Sequence, residues 1–303
     1  MMAHDFLMEK RLYHLNRPLH HRFTDAVFAL QHTLSHYKRL FPEYTDHTEQ
    51  HSMQVIDFCN RLIGSEQIEK LNADEIYVLL MSCYLHDVGM GVSKSDYEAF
   101  KHELGADALL AGRPWDTEGD FVRRYHHEFS GCFIRKYAQM LEIPTQEHLF
   151  CIVQVSRGHR KTDLFDAQQY PAAYPVPGGN TVCLPYLAAL IRLADEIDVA
   201  ADRNSQLLYD IGQIQDTYQI YMNKLQEAVT KLHVDTEGFI MEVCTQDAEI
   251  YQGLCEVRLK MQETLDICRN VVKDRTRYCI TQKQVEMRRS IDNSEHINRI
   301  RRD

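Results

Sequence analysis

Four residues from three distant segments of the chain have side chains able to share one ion: His51, His86, Asp87 and Asp195. His86 and Asp87 are adjacent and sit at the end of the run "LLMSCYLHDVG". Ile76, Leu79, Leu80, Cys83 and Asp87 recur at spacings of three and four, so a helix would carry the carboxylate at the end of an apolar stripe. Gly89 is predicted to stop that helix. Leu187, Leu190, Ile191 and Ala194 form a second apolar face, continued by Asp195 and Asp198. Val55, Phe58, Cys59 and Leu62 form a third, headed by His51 with His47 one turn earlier. An imidazole or carboxylate aimed at a core needs a partner, because an unpaired buried charge is strongly unfavourable. A metal ion satisfies both kinds of group. Nitrogen and carboxylate donors suit Mn, Fe, Zn, Ni, Co or Mg, and the lack of a thiolate argues against a structural zinc site. The bland alternative is that His86 and Asp87 only cap a helix end.

Further candidates lie between the second and last of these positions. "FVRRYHHEFSGCFI" places the adjacent pair His126 and His127 on a predicted helix, and spacing alone does not separate the two. Glu128 is a candidate general acid or base, with an exposed helix carboxylate as the alternative. "CIVQVSRGHRKTDLF" places His159 on the face of Ile152, Val155 and Ser156. Arg157, Arg160 and Lys161 surround it, and guanidinium forks suit phosphate oxygens. Solvated basic side chains are the competing reading. Asp198 either orients a ligand or makes a surface salt bridge. Arg203 is expected to pair with an acid of its own segment.

The elements that must position these groups are mostly helical. Residues 5–40 read as helix with a break at Pro18. Asn72, three residues before Glu75, predicts a capping box at the start of the His-Asp helix. Residues 89–120, with five glycines, Pro114 and the sole tryptophan Trp115, read as a long loop. The proline-rich and glycine-rich stretch 170–185 excludes a helix. Thr217 to Leu232 is predicted helical, 238–245 a strand, 246–273 helical, and 277–287 a second strand paired with the first. The expected architecture is mainly α: an N-terminal helical extension (1–40), a helical core domain (41–210) and a smaller C-terminal α+β appendage (211–303).

"HTEQHSMQV", "LLMSCYLHDVG" and "LIRLADEIDVAADR" in this order, each in a helical setting, resemble the HD-domain superfamily of metal-dependent phosphohydrolases. The resemblance spans roughly residues 25–205. It is closest to HD modules that also occur beside chaperone-type ATPase domains. It implies that His51, His86, Asp87 and Asp195 ligate a metal, with Asp87 shared between two ions where two are bound. Family members with two metals add histidines near His126 and His159; these two are then ligands or phosphate contacts. The candidate catalytic residues are then Asp87, His126 and, from its position beside the histidine pair, Glu128; the candidate substrate contacts, read from their basic groups around His159, are Arg157, Arg160 and Lys161. The implied cofactor is one or two divalent ions that acidify a water and polarise a phosphoester. The implied substrate is a small phosphorylated molecule, foremost a nucleotide: a cyclic nucleotide phosphodiester or a deoxynucleoside triphosphate. The alternative, from another class, is a metal-binding nucleotide sensor or regulatory module without turnover. The segment after His159 lacks the His-His of the cyclic-di-GMP-type branch.

Bulk properties agree with a globular protein. The chain has 303 residues, 44% hydrophobic and 26% charged. No apolar run reaches the ~18 residues of a membrane span, and the N-terminus lacks the layout of a secretory signal. Nine cysteines without any Cys-x-x-Cys read as reduced thiols of a cytoplasmic protein. The net charge of −10 argues against a nucleic-acid scaffold. Residues 271–303 carry nine Lys/Arg and five Asp/Glu, leaving that stretch at +4 and the remainder at −14. This basic tail, ending in Arg299, Arg301 and Arg302, reads as a solvated end or a partner contact. A homo-oligomer or a partner protein docking through the appendage is the further expectation.

Overall fold

The computed structural model describes residues 6–34, 49–105, 118–160, 162–199 and 217–289. The protein is mainly helical with a small C-terminal sheet of three strands. The predicted capping box is present: the Asn72 side chain accepts from the Glu75 N–H, and the Glu75 carboxylate accepts from the Asn72 N–H. It starts the central helix α4 (Ala73–Leu85), in which every residue from Asp74 onward is buried. The single apolar stripe expected here is therefore too narrow a reading. A helix apolar on all sides belongs inside the protein. Around α4 pack α1 (Leu7–Leu15), α2 (Arg17–Leu34), α3 (Glu49–Ile68), α7 (Gln146–Arg157) and α8 (Leu184–Glu196).

The first two helices part at Asn16, not at Pro18. The Asn16 side chain accepts from the Leu19 N–H and opens α2, and Pro18 sits in the first turn, where no intrahelical N–H is required. The loop predicted over 89–120 is also corrected. Its described part holds a 3₁₀ turn (Val88–Gly91) and α5 (Lys94–Glu103), which Ser93 caps through the Asp96 N–H. That serine was the readable signal, outweighed by the surrounding glycines. Residues 106–117, with Trp115, lie outside the described residues. Beyond them runs α6 (Glu118–Lys136). Among the described residues between α7 and α8 no helix forms, as expected, but the helix-free stretch ends at Cys183 and not at 185, because Pro185 fits the first turn of α8. A short antiparallel pair stands there, β1 (Tyr174–Pro175) with β2 (Thr181–Val182).

In the C-terminal part, α9 (Thr217–Ala228) ends four residues before the predicted limit of Leu232. The chain continues as β3 (Val229–Val234), antiparallel to β4 (Gly238–Val243). Val229, Thr230 and Val234 are β-branched, and pairing with β4 overrides the helical periodicity that continues through them. The strand predicted at 277–287 is present only from Gln284, as β5 (Gln284–Arg289), and it runs parallel to β4. Parallel neighbours need a crossover, supplied by α10 (Ala248–Arg275). This long helix packs on α8. Tyr278 then stacks on Tyr186 at 4.3 Å and donates to Glu75 at 2.8 Å, tying the segment after α10 to the first turn of α4. Among the described residues no single helix is long and apolar enough to cross a membrane.

Candidate metal centre

Helix α4 stops at Leu85, before the His-Asp pair. His86 is its C-cap, and Asp87 lies outside it at φ −105°, ψ 3°. Gly89 is therefore not the helix stop predicted for it. Its missing side chain answers a contact. A Cβ there would lie 2.2 Å from the His126 carbonyl oxygen and 2.5 Å from the Ser130 nitrogen. Ser130 donates to the His86 carbonyl at 2.6 Å and accepts from the Gly89 N–H at 2.9 Å. The turn bearing Asp87 is thus fastened to α6 one helical turn after His126.

Two groups of donors meet at this turn. His51 of α3, His86, Asp87 and Asp195 of α8 form the first, and Asp87, His126 and His159 form the second. Within each group the atoms lie within 4.8 Å of one another. The Nε2 atoms of His51 and His86 are 3.1 Å apart. Asp87 Oδ2 is 3.5 Å from each of them, and Asp195 Oδ1 is 3.4 and 3.7 Å away. In the second group His126 Nε2 and His159 Nε2 are 2.9 Å apart, and Asp87 Oδ1 lies 3.2 and 3.4 Å from them. Asp87 turns one oxygen to each group.

The chemistry of the donors tests whether a cation fits. His86 Nδ1 faces the Cys83 carbonyl at 3.0 Å, and His159 Nδ1 faces the Ser156 carbonyl at 2.5 Å. A carbonyl only accepts, so both Nδ1 atoms carry the proton, and in neutral rings both Nε2 atoms are bare. His51 Nδ1 likewise donates to the Asp198 carboxylate at 2.6 Å. The first group is then four acceptors facing one another, a repulsive arrangement that a central cation reverses. The spacing also fits. For bonds of about 2.0–2.2 Å, neighbouring donors around one ion stand roughly 3.0–3.5 Å apart. The buried His/Asp groups can therefore hold a metal ion.

The other sequence candidates fall around this centre. The structure separates His126 from His127: His126 joins the second group, while His127 Nε2 lies 3.6 Å from Glu128 and its Nδ1 is buried without a partner among the described residues. Burial, reinforced by His159, His126, Arg157 and Arg160, pulls the His127 pKa down to about 2. Burial also pulls His159 down to about 4, against the Asp87 carboxylate, so its ring is neutral at neutral pH. Glu128 and Arg157 pair with each other at 2.6 Å, and Arg157 also donates to Gln154. Arg160 is half-buried, three residues beyond the end of α7. Lys161, His47, Arg203 and the terminal arginines lie outside the described residues. Sequence reasoning missed Ser130 and Arg192. The signal for each was helical spacing, four residues after His126 and three before Asp195.

The HD-CE family model matches residues 41–278, a stretch that contains every donor of both groups. No curated protein and no solved structure matches the chain.

Proposed function

The chain belongs to the HD-CE family, an HD-domain family whose His/Asp arrangement is typical of phosphohydrolases, and from that premise we propose that it hydrolyses a nucleotide or related small phosphoester. Cyclic nucleotide phosphodiesters and deoxynucleoside triphosphates lead the substrate classes. The observation that carries this reading is the pair of donor groups sharing Asp87, with one carboxylate oxygen turned to each. These residues would hold a divalent ion, which would supply an acidified water and polarise the phosphoester.

The residues divide the work. His51, His86, Asp87 and Asp195 would hold a first Mn, Fe, Ni, Co, Zn or Mg ion, and Asp87, His126 and His159 a second. The carbonyls of Cys83 and Ser156 keep the imidazoles in the tautomer that presents Nε2. Asp198 does the same for His51 and makes it a stronger donor. Arg160 would neutralise substrate phosphate at the rim. Glu128, drawn towards Arg157, would act as acid or base only after that pair opens.

Asp198→Asn is expected to weaken metal affinity about 10–100-fold without unfolding the chain. Metal titration followed by thermal melting checks it, and an unchanged affinity would remove Asp198 from the centre. Arg160→Ala is expected to raise KM more than it lowers kcat, as for a contact made equally in ground and transition states. A selective fall in kcat would move Arg160 to the chemical step. The reading as a whole is tested by loading the full chain with Mn or Co and screening a broad panel of nucleotides and phosphodiesters. Hydrolysis of none, by protein that holds metal, would leave a nucleotide-sensing module as the better account.

A further inference from the structure

We propose that Arg192 is a positioning residue that sets the distance between the two donor groups by locking the turn bearing His159 onto the helix bearing Asp195. The inference rests on the metal reading above and concerns how the second group is held in register with the first.

The two groups draw on different helices that pack against each other. Asp195 lies on α8, and His159 lies just beyond the end of α7. The His159 ring has little freedom of its own, because its Nδ1 is hydrogen-bonded to Ser156 in the last turn of α7. Where its Nε2 points therefore depends on where the backbone of that turn sits. Two features place it. Gly158 lies so close to α8 that an added Cβ would stand 2.6 Å from the Ala188 Cβ. Arg192, one helical turn before Asp195, then spans the turn. Its Nε donates to the Gly158 carbonyl at 2.8 Å, and its Nη2 donates to the Thr162 carbonyl at 2.8 Å and to Thr162 Oγ1 at 3.1 Å. These oxygens bracket His159 on both sides.

The guanidinium suits this task for a physical reason. The last carbonyls of a helix lack intrahelical donors, and a cation there is favoured by the helix dipole. A planar fork can hold two carbonyls at a set separation, which a lysine ammonium on a flexible stem cannot. All three hydrogen bonds described for Arg192 go to this turn, so the residue links α8 to the segment that carries His159. Arg275 provides a contrast. It holds the same loop farther on, through the carbonyls of Leu164 and Tyr170, away from His159.

The test uses the full chain and Mn alone as probe, in wild type, Arg192→Lys, Arg192→Ala, His159→Ala and Arg275→Lys. Stoichiometry and affinity are read by equilibrium dialysis, and coupling between two ions by electron paramagnetic resonance. Wild type is expected to take two ions per chain with a coupled spectrum. Arg192→Lys and Arg192→Ala should keep the first ion at near wild-type affinity, bind the second about 10–100-fold more weakly and lose the coupled signal, as His159→Ala does. Arg275→Lys should keep both ions. The inference is overturned if Arg192→Lys retains both ions unchanged, if it loses both together, or if Arg275→Lys loses the second ion as readily. A wild type that takes a single ion overturns it as well. A wild type that takes no ion overturns the metal reading itself, which is a distinguishable result.

Discussion

Replacing Asp87 by alanine is expected to take hydrolysis below detection while leaving a folded helical protein. Asp87 is the one residue common to both donor groups, with Oδ2 towards His51 and His86 and Oδ1 towards His126 and His159. Its removal weakens both sites at once. Water in the cleft then keeps a pKa near its bulk value of about 15.7 instead of roughly 7. No single histidine replacement should match this, since each touches one group. The metal-free proteins should behave in the opposite sense. Asp87 belongs to a buried cluster of acceptors that also holds Asp195 and Asp198. Like charges so placed disfavour one another. Metal-free Asp87→Ala should therefore melt no lower than metal-free wild type, and only wild type should gain stability when Mn is added, because a ligand that binds the native state alone stabilises it. Turnover by Asp87→Ala near the wild-type rate would show that the chemistry does not depend on this centre.

Replacing Gly89 by alanine is the second change with a large expected effect, and it acts through the backbone. The new methyl would meet the His126 carbonyl oxygen at 2.2 Å and the Ser130 nitrogen at 2.5 Å. Both are main-chain atoms of α6, so no side-chain rotation relieves the clash. Either the His-Asp turn or α6 must move. Overpacking of this kind typically costs about 1–3 kcal/mol and sometimes more, and a clash with backbone belongs at the upper end. The same movement would break the Ser130 hydrogen bonds to Gly89 and His86 and carry His126 away from Asp87. The variant should melt several degrees lower and bind the second ion poorly. A Gly89→Ala protein with wild-type melting and wild-type metal content would show that the two backbones can part without consequence.

The donor residues were legible in the chain because each sits in, or just beyond the end of, a strongly patterned helix. The capping box at Asn72 and Glu75 and the apolar run that follows announced α4, and helical spacing pointed His51 and Asp195 inward. Asp198 was legible as a residue one turn beyond Asp195, although its partner was not. What failed was local competition. The glycines around Ser93 hid α5, and the periodicity of α9 ran on into β3.

By itself the sequence determined the mainly helical class, the residue types able to bind an ion and the helix faces that carry most of them, because spacing of three and four settles direction within one helix. It did not determine how separate helices meet. The choice of His126 over His127, the link from Asp198 to His51, the division of the Asp87 oxygens between two groups and the clamp of Arg192 on Gly158 and Thr162 all join residues distant in the chain. Gly89 makes the point most plainly. In sequence it reads as the end of a helix, but its lack of a side chain is required by α6, whose backbone lies where a Cβ would be. Close approach is a property of two backbones together, so only the packed structure could decide it.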